Sequence, residues 1–469
     1  MIPLPKSIAS VASQAAATLR DGQSASSPFK NVPNLMSFGG WIPDQPDHLN
    51  DWLEKKLKEL EREPKNAVQD ESVQAFRSFI ETNPEVHMGF NRVFDIVPVK
   101  DQLGRCQVRS KSRILNRVLT NQFSLKVKDY NTMLRLFNRF IKEAPEFDNF
   151  PILLPFTAAL HWPTAMTKGL PILTNPQVND HFRRIFKVWA EFLASPDSRH
   201  VLTDDDRGWL GPVAMKKMPN FKETFLCNPD EPYWGFQSWD DFFAHKLRNG
   251  ARPVTSPEEP DIITSACESK VLRIAQYVQE QDQFLIKNQL YYVTHMLNNH
   301  PEAKSFLGGT VYQAFLSPFD YHRWSSPVDG VVKKIDLVAG NYFTSPPSDE
   351  LPRTGLTLFE NARSYMDQHA TRALIYIQSD NADIGLMCFV GIGMEELSSC
   401  EITVSEGQQV KKGQEMGTFH FGGSTYCLVF RLTAKLNFVA GVDQQIPVWK
   451  SRNSTESPGS LVSRPQSAT

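Results

Sequence analysis

The interpretation of the whole chain depends on one stretch near its C-terminus, which reads Gly417-Thr418-Phe419-His420-Phe421-Gly422-Gly423-Ser424-Thr425-Tyr426. The two glycines before Ser424 leave this residue little steric cover and permit backbone conformations that other residues avoid. The preceding segment, 406–417, has glycines spaced for tight turns and leads directly into this one. A plain glycine turn between two strands is the simplest interpretation of the stretch.

The Gly423–Ser424 bond also has a chemical interpretation. The hydroxyl of Ser424 can approach the carbonyl of Gly423, and this geometry suits an internal N-to-O acyl shift. The resulting ester could lose its carboxylate by β-elimination and leave a dehydroalanine, which hydrolyses to a pyruvoyl group on the new N-terminus. The stretch alone leaves both interpretations open, so the rest of the chain must decide between them.

Length and composition are typical of a soluble globular protein with two or three domains. The chain has 469 residues, of which 41% are hydrophobic and 22% charged. A formal net charge of -2 gives no general case for nucleic acid or an anionic membrane as partner. The six cysteines form no CxxC pair, so we expect reduced thiols in a cytoplasmic protein and no zinc site. No run approaches the ~18 apolar residues of a membrane span, and we expect no integral membrane association.

Helical periodicity dominates the first half of the chain. Residues 1–40 are predicted to be a disordered tail, although the first 28 weakly resemble an organelle transit peptide. Apolar residues then recur at helical spacing in segments 49–60, 73–80, 133–141 and 182–193, which predicts a helical domain over residues 41–225.

A basic run interrupts this helical half. Seven basic residues and no acidic ones lie between Gln102 and Lys128. A contact with nucleic acid and a translated intron are two possible explanations. We favour a solvated loop, because no nucleic-acid-binding motif surrounds the run.

The second half of the chain has the texture of a β domain. Short β-like runs, bounded by Gly, Pro, Asn and Asp, occur at 331–335, 373–378, 384–390, 401–404 and 426–431. They predict a domain over residues 226–450 with mainly antiparallel sheets, and therefore an α+β fold for the whole chain. Residues 451–469 are rich in Ser and Pro and are predicted to be a disordered tail.

Three groups of residues in this second half carry a family resemblance when they are taken together and in order. They are Asp241-Phe242-Phe243-Ala244-His245-Lys246-Leu247 with Gly250-Ala251-Arg252-Pro253, then Tyr321-His322-Arg323-Trp324 with Ser326-Pro327-Val328-Asp329-Gly330, and finally Phe421-Gly422-Gly423-Ser424-Thr425. Across residues 230–445 the chain thereby resembles the phosphatidylserine decarboxylase family of pyruvoyl enzymes. The helical first half and the segment Ser265-Ala266-Cys267-Glu268-Ser269 look more like its soluble fungal L-tryptophan decarboxylase branch.

The resemblance implies self-cleavage between Gly423 and Ser424. The products would be a β chain of residues 1–423 and an α chain that begins with a pyruvoyl group made from Ser424. A substrate amine would form a Schiff base with this group and lose carbon dioxide, so the group takes the role usually given to pyridoxal phosphate. We therefore expect a decarboxylase of a small soluble amino acid, tryptophan or another aromatic one. Phosphatidylserine as substrate, or an unprocessed and non-catalytic homologue, is the alternative.

The resemblance also names candidate catalytic residues besides Ser424. Processing in the family uses an acid, a histidine and the serine. Glu268 stands where the family commonly has Asp, and Ser325 stands where many members have a second histidine that a serine cannot replace as a base near neutral pH. His322, in a family position associated with substrate handling or decarboxylation, and His420, four residues before Ser424, could each act as the base instead.

Two other functions are less well supported. Lys246, after His245, could anchor pyridoxal phosphate, but no phosphate-binding glycine cup can be recognised around it. The glycine spacing of 406–417 resembles the hairpins of lipoyl carrier domains, but the chain lacks the Asp-Lys-Ala tip that carries the lipoyl group.

Overall fold

The structure, a computed structural model, describes most of the chain but not all of it. The described residues are 41, 46–64, 68–94, 127–147, 151–164, 170–279, 293–343, 369–396, 399–421, 423–434, 436–438, 441–442, 444–447 and 460–463. The tail expected at 1–40 and nearly all of the basic run at 102–128 lie outside these residues.

Helices form the first half of the protein, where the apolar periodicity predicts them. Their starts follow capping chemistry: the Asp70 side chain accepts the N–H of Ser72, and the Asn175 side chain accepts the N–H groups of Gln177 and Val178. The helices are α1 (Pro46–Arg62), α2 (Glu71–Thr82), α3 (Pro84–Phe94), α4 (Tyr130–Phe140), α5 (Pro155–Thr164), α6 (Leu170–Leu173), α7 (Pro176–Leu193), α8 (Pro212–Lys217), α9 (Phe221–Thr224), α10 (Trp239–Phe243) and α11 (Val293–Met296), with 3-10 helices at Pro196–Val201, Pro232–Gly235 and Pro301–Phe306.

Helix α7 shows how these elements are stabilised. Its buried positions include Phe182, Ile185, Phe186 and Trp189, which fall on one face at helical spacing. Burying each such side chain contributes about 1.5–3 kcal/mol. The rings of Phe182 and Phe343 meet edge to face at 4.9 Å between centroids, so this helix packs against the chain that follows the fifth strand.

Strands form the second half. They are β1 (Ile262–Thr264), β2 (Ser269–Gln276), β3 (Thr310–Phe315), β4 (Arg323–Ser325), β5 (Gly330–Val338), β6 (Arg372–Ser379), β7 (Leu386–Gly393), β8 (Cys400–Ile402), β9 (Gln409–Val410), β10 (Glu415–Phe419), β11 (Gly423–Phe430), β12 (Gln445–Ile446) and β13 (Ser460–Ser463). The main sheet has the order β12-β2-β3-β11-β7-β6-β5-β9, and a smaller sheet has the order β4-β10-β8. The pairs in both are antiparallel, which confirms the predicted α+β class.

The main sheet separates two hydrophobic clusters because side chains alternate between its faces. On β11, Cys427 and Val429 join the cluster that includes the helices, whereas Tyr426 and Leu428 join a second cluster on the opposite face. The helical half therefore covers one face of the sheet that carries Ser424.

Glycines shape the approach to this strand as the spacing in 406–417 predicts. Gly407 and Gly413 adopt positive φ angles of 83° and 81°, which glycine tolerates without strain. Gly417 is required for a different reason: a Cβ atom there would lie 2.2 Å from the carbonyl oxygen of Glu401 and 2.7 Å from the Trp324 ring.

Two features of the structure bear on the predicted domain bounds. Within the segment expected to be a disordered C-terminal tail, Ser460–Ser463 form β13, which pairs with β1, and Val462 is a residue type that favours strands. Helices continue to Phe243, past the domain boundary predicted at residue 225, and that boundary stays a prediction. No helix among the described residues is long and apolar enough to cross a membrane.

Candidate active site

The Gly423–Ser424 bond lies at the irregular start of β11. Gly423 pairs with Gly393 of β7, but the next pair joins Thr425 to Ile392, so Ser424 is an extra residue in the ladder. On the other side of β11, the pairing with β3 reaches only Thr425. Bulges of this kind bend a strand and are frequent next to active sites. The backbone at Ser424 is thus less constrained by sheet pairing than the rest of the strand, which suits rearrangement of this peptide bond.

His322 lies just before β4, is 1% exposed and packs mainly against aromatic rings. Its ring stacks on Phe243 at 4.1 Å between centroids and meets Trp41 edge-on at 5.9 Å. Neither ring nitrogen has a hydrogen-bond partner of ordinary geometry among the described residues. Burial, together with repulsion from His245, lowers the pKa of His322 well below its usual value, and the backbone of Asp320 opposes this only weakly. The ring is therefore held neutral, with one nitrogen able to accept a proton and one able to donate.

Glu268 fixes the chain next to His322. Its carboxylate accepts two hydrogen bonds from the Arg252 guanidinium, at 2.8 and 3.2 Å, a bidentate arrangement. The same carboxylate accepts the backbone N–H of Tyr321 at 3.1 Å. Arg252 and Tyr321 belong to two of the family-like motifs, so Glu268 joins these motifs and positions the residue that precedes His322.

A second carboxylate, Asp320, lies in the same loop. It accepts the N–H of Ser317 at 2.6 Å and a side-chain hydrogen bond from Gln445 at 3.0 Å. Burial and the negative charge of Glu268 raise the pKa of Asp320 to about 7. The loop before His322 thus holds a carboxyl group that changes its charge near neutral pH.

Ser325 occupies a buried position at the end of β4. It is 1% exposed, and its N–H donates to the carbonyl of Ala266 at 2.9 Å. The neighbouring Ser265 hydroxyl hydrogen-bonds the Tyr426 hydroxyl at 3.0 Å, two residues beyond Ser424. The segment that carries Glu268 therefore bridges β4, which follows His322, and β11, which carries position 424.

His420 has a setting opposite to that of His322. Its Nδ1 lies 2.8 Å from a carboxylate oxygen of Asp240, and its Nε2 lies 2.7 Å from one of Glu401. Because carboxylates only accept hydrogen bonds, both nitrogens carry protons and the ring is an imidazolium. The hydrogen bond to Asp240, reinforced by both negative charges, raises the pKa of His420 to about 9. The geometry favours a positioning role over the base role expected from the sequence.

An aromatic nest surrounds the residue that follows His420. We use this name for Trp41, Trp189, Trp239 and Phe243, whose ring centroids lie 6.4, 5.1, 5.6 and 5.2 Å from that of Phe421. Such edge-on contacts add to the free energy of burial. Trp41 and Phe243 also contact His322, so one apolar wall lines both the buried histidine and the segment before the predicted cleavage bond.

Sequence reasoning missed several of these residues. Trp41, Asp240, Glu401 and Tyr426 were not expected at the site, and only Asp240 had a usable signal, since it directly precedes the motif 241–247. Lys246, the alternative anchor for pyridoxal phosphate, is exposed and lies outside the buried region.

Two family models match the chain. The model described as phosphatidylserine decarboxylase covers residues 239–448, and a second model of the same description covers residues 70–218. Together they span both the helical half and the sheet half.

Similar proteins include decarboxylases from fungi. Decarboxylase iboD of Amanita muscaria is 38% identical over 328 residues, which cover 65% of this chain and 94% of that protein. An L-tryptophan decarboxylase of Psilocybe cubensis is 35% identical over 388 residues, covering 78% of this chain and 82% of that protein. Phosphatidylserine decarboxylase proenzyme 3 of Schizosaccharomyces pombe is 32% identical over 222 residues, which cover 47% of this chain but 22% of that protein.

Proposed function

Because the chain belongs to the phosphatidylserine decarboxylase family, a family of carboxy-lyases, we propose that it removes carbon dioxide from a small aromatic amino acid. The group that supports this reaction is a pyruvoyl made from Ser424, which accepts the electrons released as carbon dioxide leaves. Tryptophan is the first substrate to test, because the relative from Psilocybe cubensis carries that substrate in its name.

The pyruvoyl group would form by a rearrangement of the peptide bond between Gly423 and Ser424. The Ser424 oxygen attacks the Gly423 carbonyl carbon, the C–N bond breaks, and the acyl group moves from nitrogen to oxygen. Loss of the Ser424 α-proton then breaks the Cβ–O bond and releases the Gly423 carboxylate. Water converts the remaining dehydroalanine into the pyruvoyl group with release of ammonia, leaving chains 1–423 and 424–469.

His322 is the observation that carries this proposal. His322 is 1% exposed, and neither ring nitrogen makes a hydrogen bond of ordinary geometry among the described residues, so the ring can accept a further partner. A substrate, or the serine during processing, would provide one. Phe243 and Trp41 beside the ring favour a substrate with an aromatic side chain.

Glu268 and Ser325 have secondary roles in this proposal. Glu268 holds the backbone before His322 through Tyr321 and balances the charge of Arg252. Ser325 leaves the family's second histidine position without a base, so His322 takes the proton of the Ser424 hydroxyl. An unprocessed, non-catalytic homologue is the alternative that this substitution leaves.

The intact mass of the purified protein tests processing. We expect two chains whose masses correspond to residues 1–423 and to a pyruvoyl-blocked 424–469, and Ser424→Ala should remain one chain. Fully active protein that stays full-length would refute the proposal. Uncleaved, inactive protein would support the non-catalytic alternative.

A carbon dioxide release assay over the amino acids and phosphatidylserine tests the substrate. We expect turnover of tryptophan or another aromatic amino acid, and turnover of phosphatidylserine alone would replace our choice. The cytoplasmic localisation expected from the sequence stays a prediction.

A further inference from the structure

The segment just before the predicted cleavage bond is tied to both halves of the protein. The side chain of His420 binds Asp240 of α10 and Glu401 of β8, at 2.8 and 2.7 Å. The other oxygen of Asp240 accepts the backbone N–H of Phe421 at 3.1 Å. The N–H of His420 donates to the carbonyl of Ser399 at 3.2 Å. Residues 420 and 421 are thus fixed by side-chain and backbone hydrogen bonds together.

We propose that Asp240, His420 and Glu401 form a carboxylate–imidazolium–carboxylate clamp that holds the new C-terminus of the β chain beside the pyruvoyl site after cleavage. This inference rests on the proposed function, because it concerns the two ends that the cleavage creates. Only Gly422 and Gly423 separate Phe421 from the new carboxylate. The clamp therefore leaves a two-residue tether, with the glycine freedom that the rearrangement needs.

The apolar half of this anchor is Phe421. Its ring is 5% exposed and is enclosed by the aromatic nest, whose members Trp41 and Phe243 also contact His322. When Phe421 stays in place, it keeps the wall beside His322 closed. A released tail would open that wall to water, and an aromatic substrate would lose part of its apolar contact.

The clamp is built for a cation at its centre. Asp240 and Glu401 approach the ring from two different elements, and their side chains are 16% and 53% exposed. A neutral residue at 420 would leave the two carboxylates without a positive charge between them. Asp240 is the stronger partner, because it is less exposed and also holds the Phe421 backbone. His420 is accordingly a positioning residue and not the base of the reaction.

The test compares His420→Gln, which removes the charge, with His420→Lys, which restores a cation that can donate to both carboxylates. His200→Gln is the matched control, since His200 is exposed and its Nδ1 lies 2.9 Å from the backbone carbonyl oxygen of Asp197, away from the clamp. We expect His420→Gln to slow self-cleavage about tenfold and to raise KM for the amino acid severalfold at nearly unchanged kcat. His420→Lys should recover most of both losses, and His200→Gln should behave as the unaltered protein.

The outcomes separate this inference from the proposed function. Cleavage, KM and kcat of His420→Gln equal to those of the unaltered protein would overturn the clamp while the decarboxylase stands. A loss that His420→Lys fails to recover would refute the requirement for a cation. If the unaltered protein is not cleaved, the proposed function fails, and limited proteolysis then tests the clamp by itself. Faster cutting at residues 420–423 in His420→Gln than in the unaltered protein would support the anchoring contacts. Equal cutting in the two proteins would refute them.

Discussion

Two histidines close to the same strand have opposite surroundings. His322 is buried among aromatic rings, which lower its pKa, whereas His420 lies between two carboxylates, which raise its pKa to about 9. The first ring is neutral and makes no hydrogen bond of ordinary geometry among the described residues, whereas the second is charged and both of its nitrogens are hydrogen-bonded. Proximity to Ser424 in sequence would favour His420 as the catalytic residue. From these environments we propose a chemical role for His322 and an anchoring role for His420.

Replacement of His322 should have the largest effect of any change that tests this comparison. We expect His322→Gln to lower decarboxylation by about 10³-fold, because a positioned general acid or base contributes about 10²–10⁴-fold. Because the proposal also gives His322 the proton of the Ser424 hydroxyl, we expect slower self-cleavage of this variant as well. Carbon dioxide release is therefore measured per mole of cleaved chain, with intact mass giving the cleaved fraction. His322→Phe is the second variant, because it removes both ring nitrogens but keeps an aromatic ring packed in the same place. Thermal melting checks that both variants fold, and folded, cleaved His322→Gln with near-normal turnover would end the assignment.

Replacement of Phe421 should have the second largest effect. Its ring packs against aromatic residues that contact His322, and its backbone shares the carboxylate that binds His420. Truncation of a buried phenylalanine to alanine typically costs about 3–5 kcal/mol, including the cavity that remains. We expect Phe421→Ala to lower the free energy of unfolding by about 3 kcal/mol, and Phe421→Leu by clearly less. Denaturant unfolding of the Ser424→Ala background, which stays one chain, measures this effect. A loss below about 1 kcal/mol would show that the aromatic nest does not stabilise this segment.

A pH titration separates the two rings without any substitution. The pKa of His420 is raised above its value in the unfolded chain, so its contribution to stability is fully present below about pH 6.5 and is lost as the pH rises through about 9. Asp240 and Glu401 are the charged groups that face this ring. We expect the melting temperature to fall between pH 8 and 10, and to fall less in His420→Gln. Equal slopes in the two proteins would contradict a charged ring.

Glu401 should have the smallest effect. Its side chain is 53% exposed, and an ion pair at such a site contributes little because solvent screens it. We expect Glu401→Gln to change stability by less than about 1 kcal/mol and the cleavage rate by about twofold or less, whereas Asp240→Asn should have a larger effect on both. Side-by-side melting curves and cleavage time courses check this order, and a larger loss from Glu401→Gln would reverse the ranking of the two clamp partners.

The sequence predicted the elements better than it predicted the contacts of the site. The helical spacing of Phe182, Ile185 and Trp189 identified α7, and short β-like runs identified β6 and β7, because such periodicities are local. The family-like motifs named Glu268 and His322 as candidate site residues, and their roles stay predictions. The partners of His420 were not visible, since Asp240 lies 180 positions away and is joined to it only by the packing of α10 against the sheet half. Trp41 was not visible for the same reason, since its indole N–H donates to the carbonyl of Leu316, which lies 275 positions away in the sequence.

The position of β11 inside the main sheet has a consequence for how a cleaved protein is assembled. β11 lies between β3 and β7, so the short chain 424–469 would begin with an interior strand and hydrogen-bond on both edges. A separately made peptide of this sequence would have to insert between β3 and β7 and pair with both strands at once. We therefore expect that the two chains arise together only from one folded precursor, and that co-expression of the two fragments as independent genes yields little complex. In this protein, synthesis as a single chain is itself the assembly step.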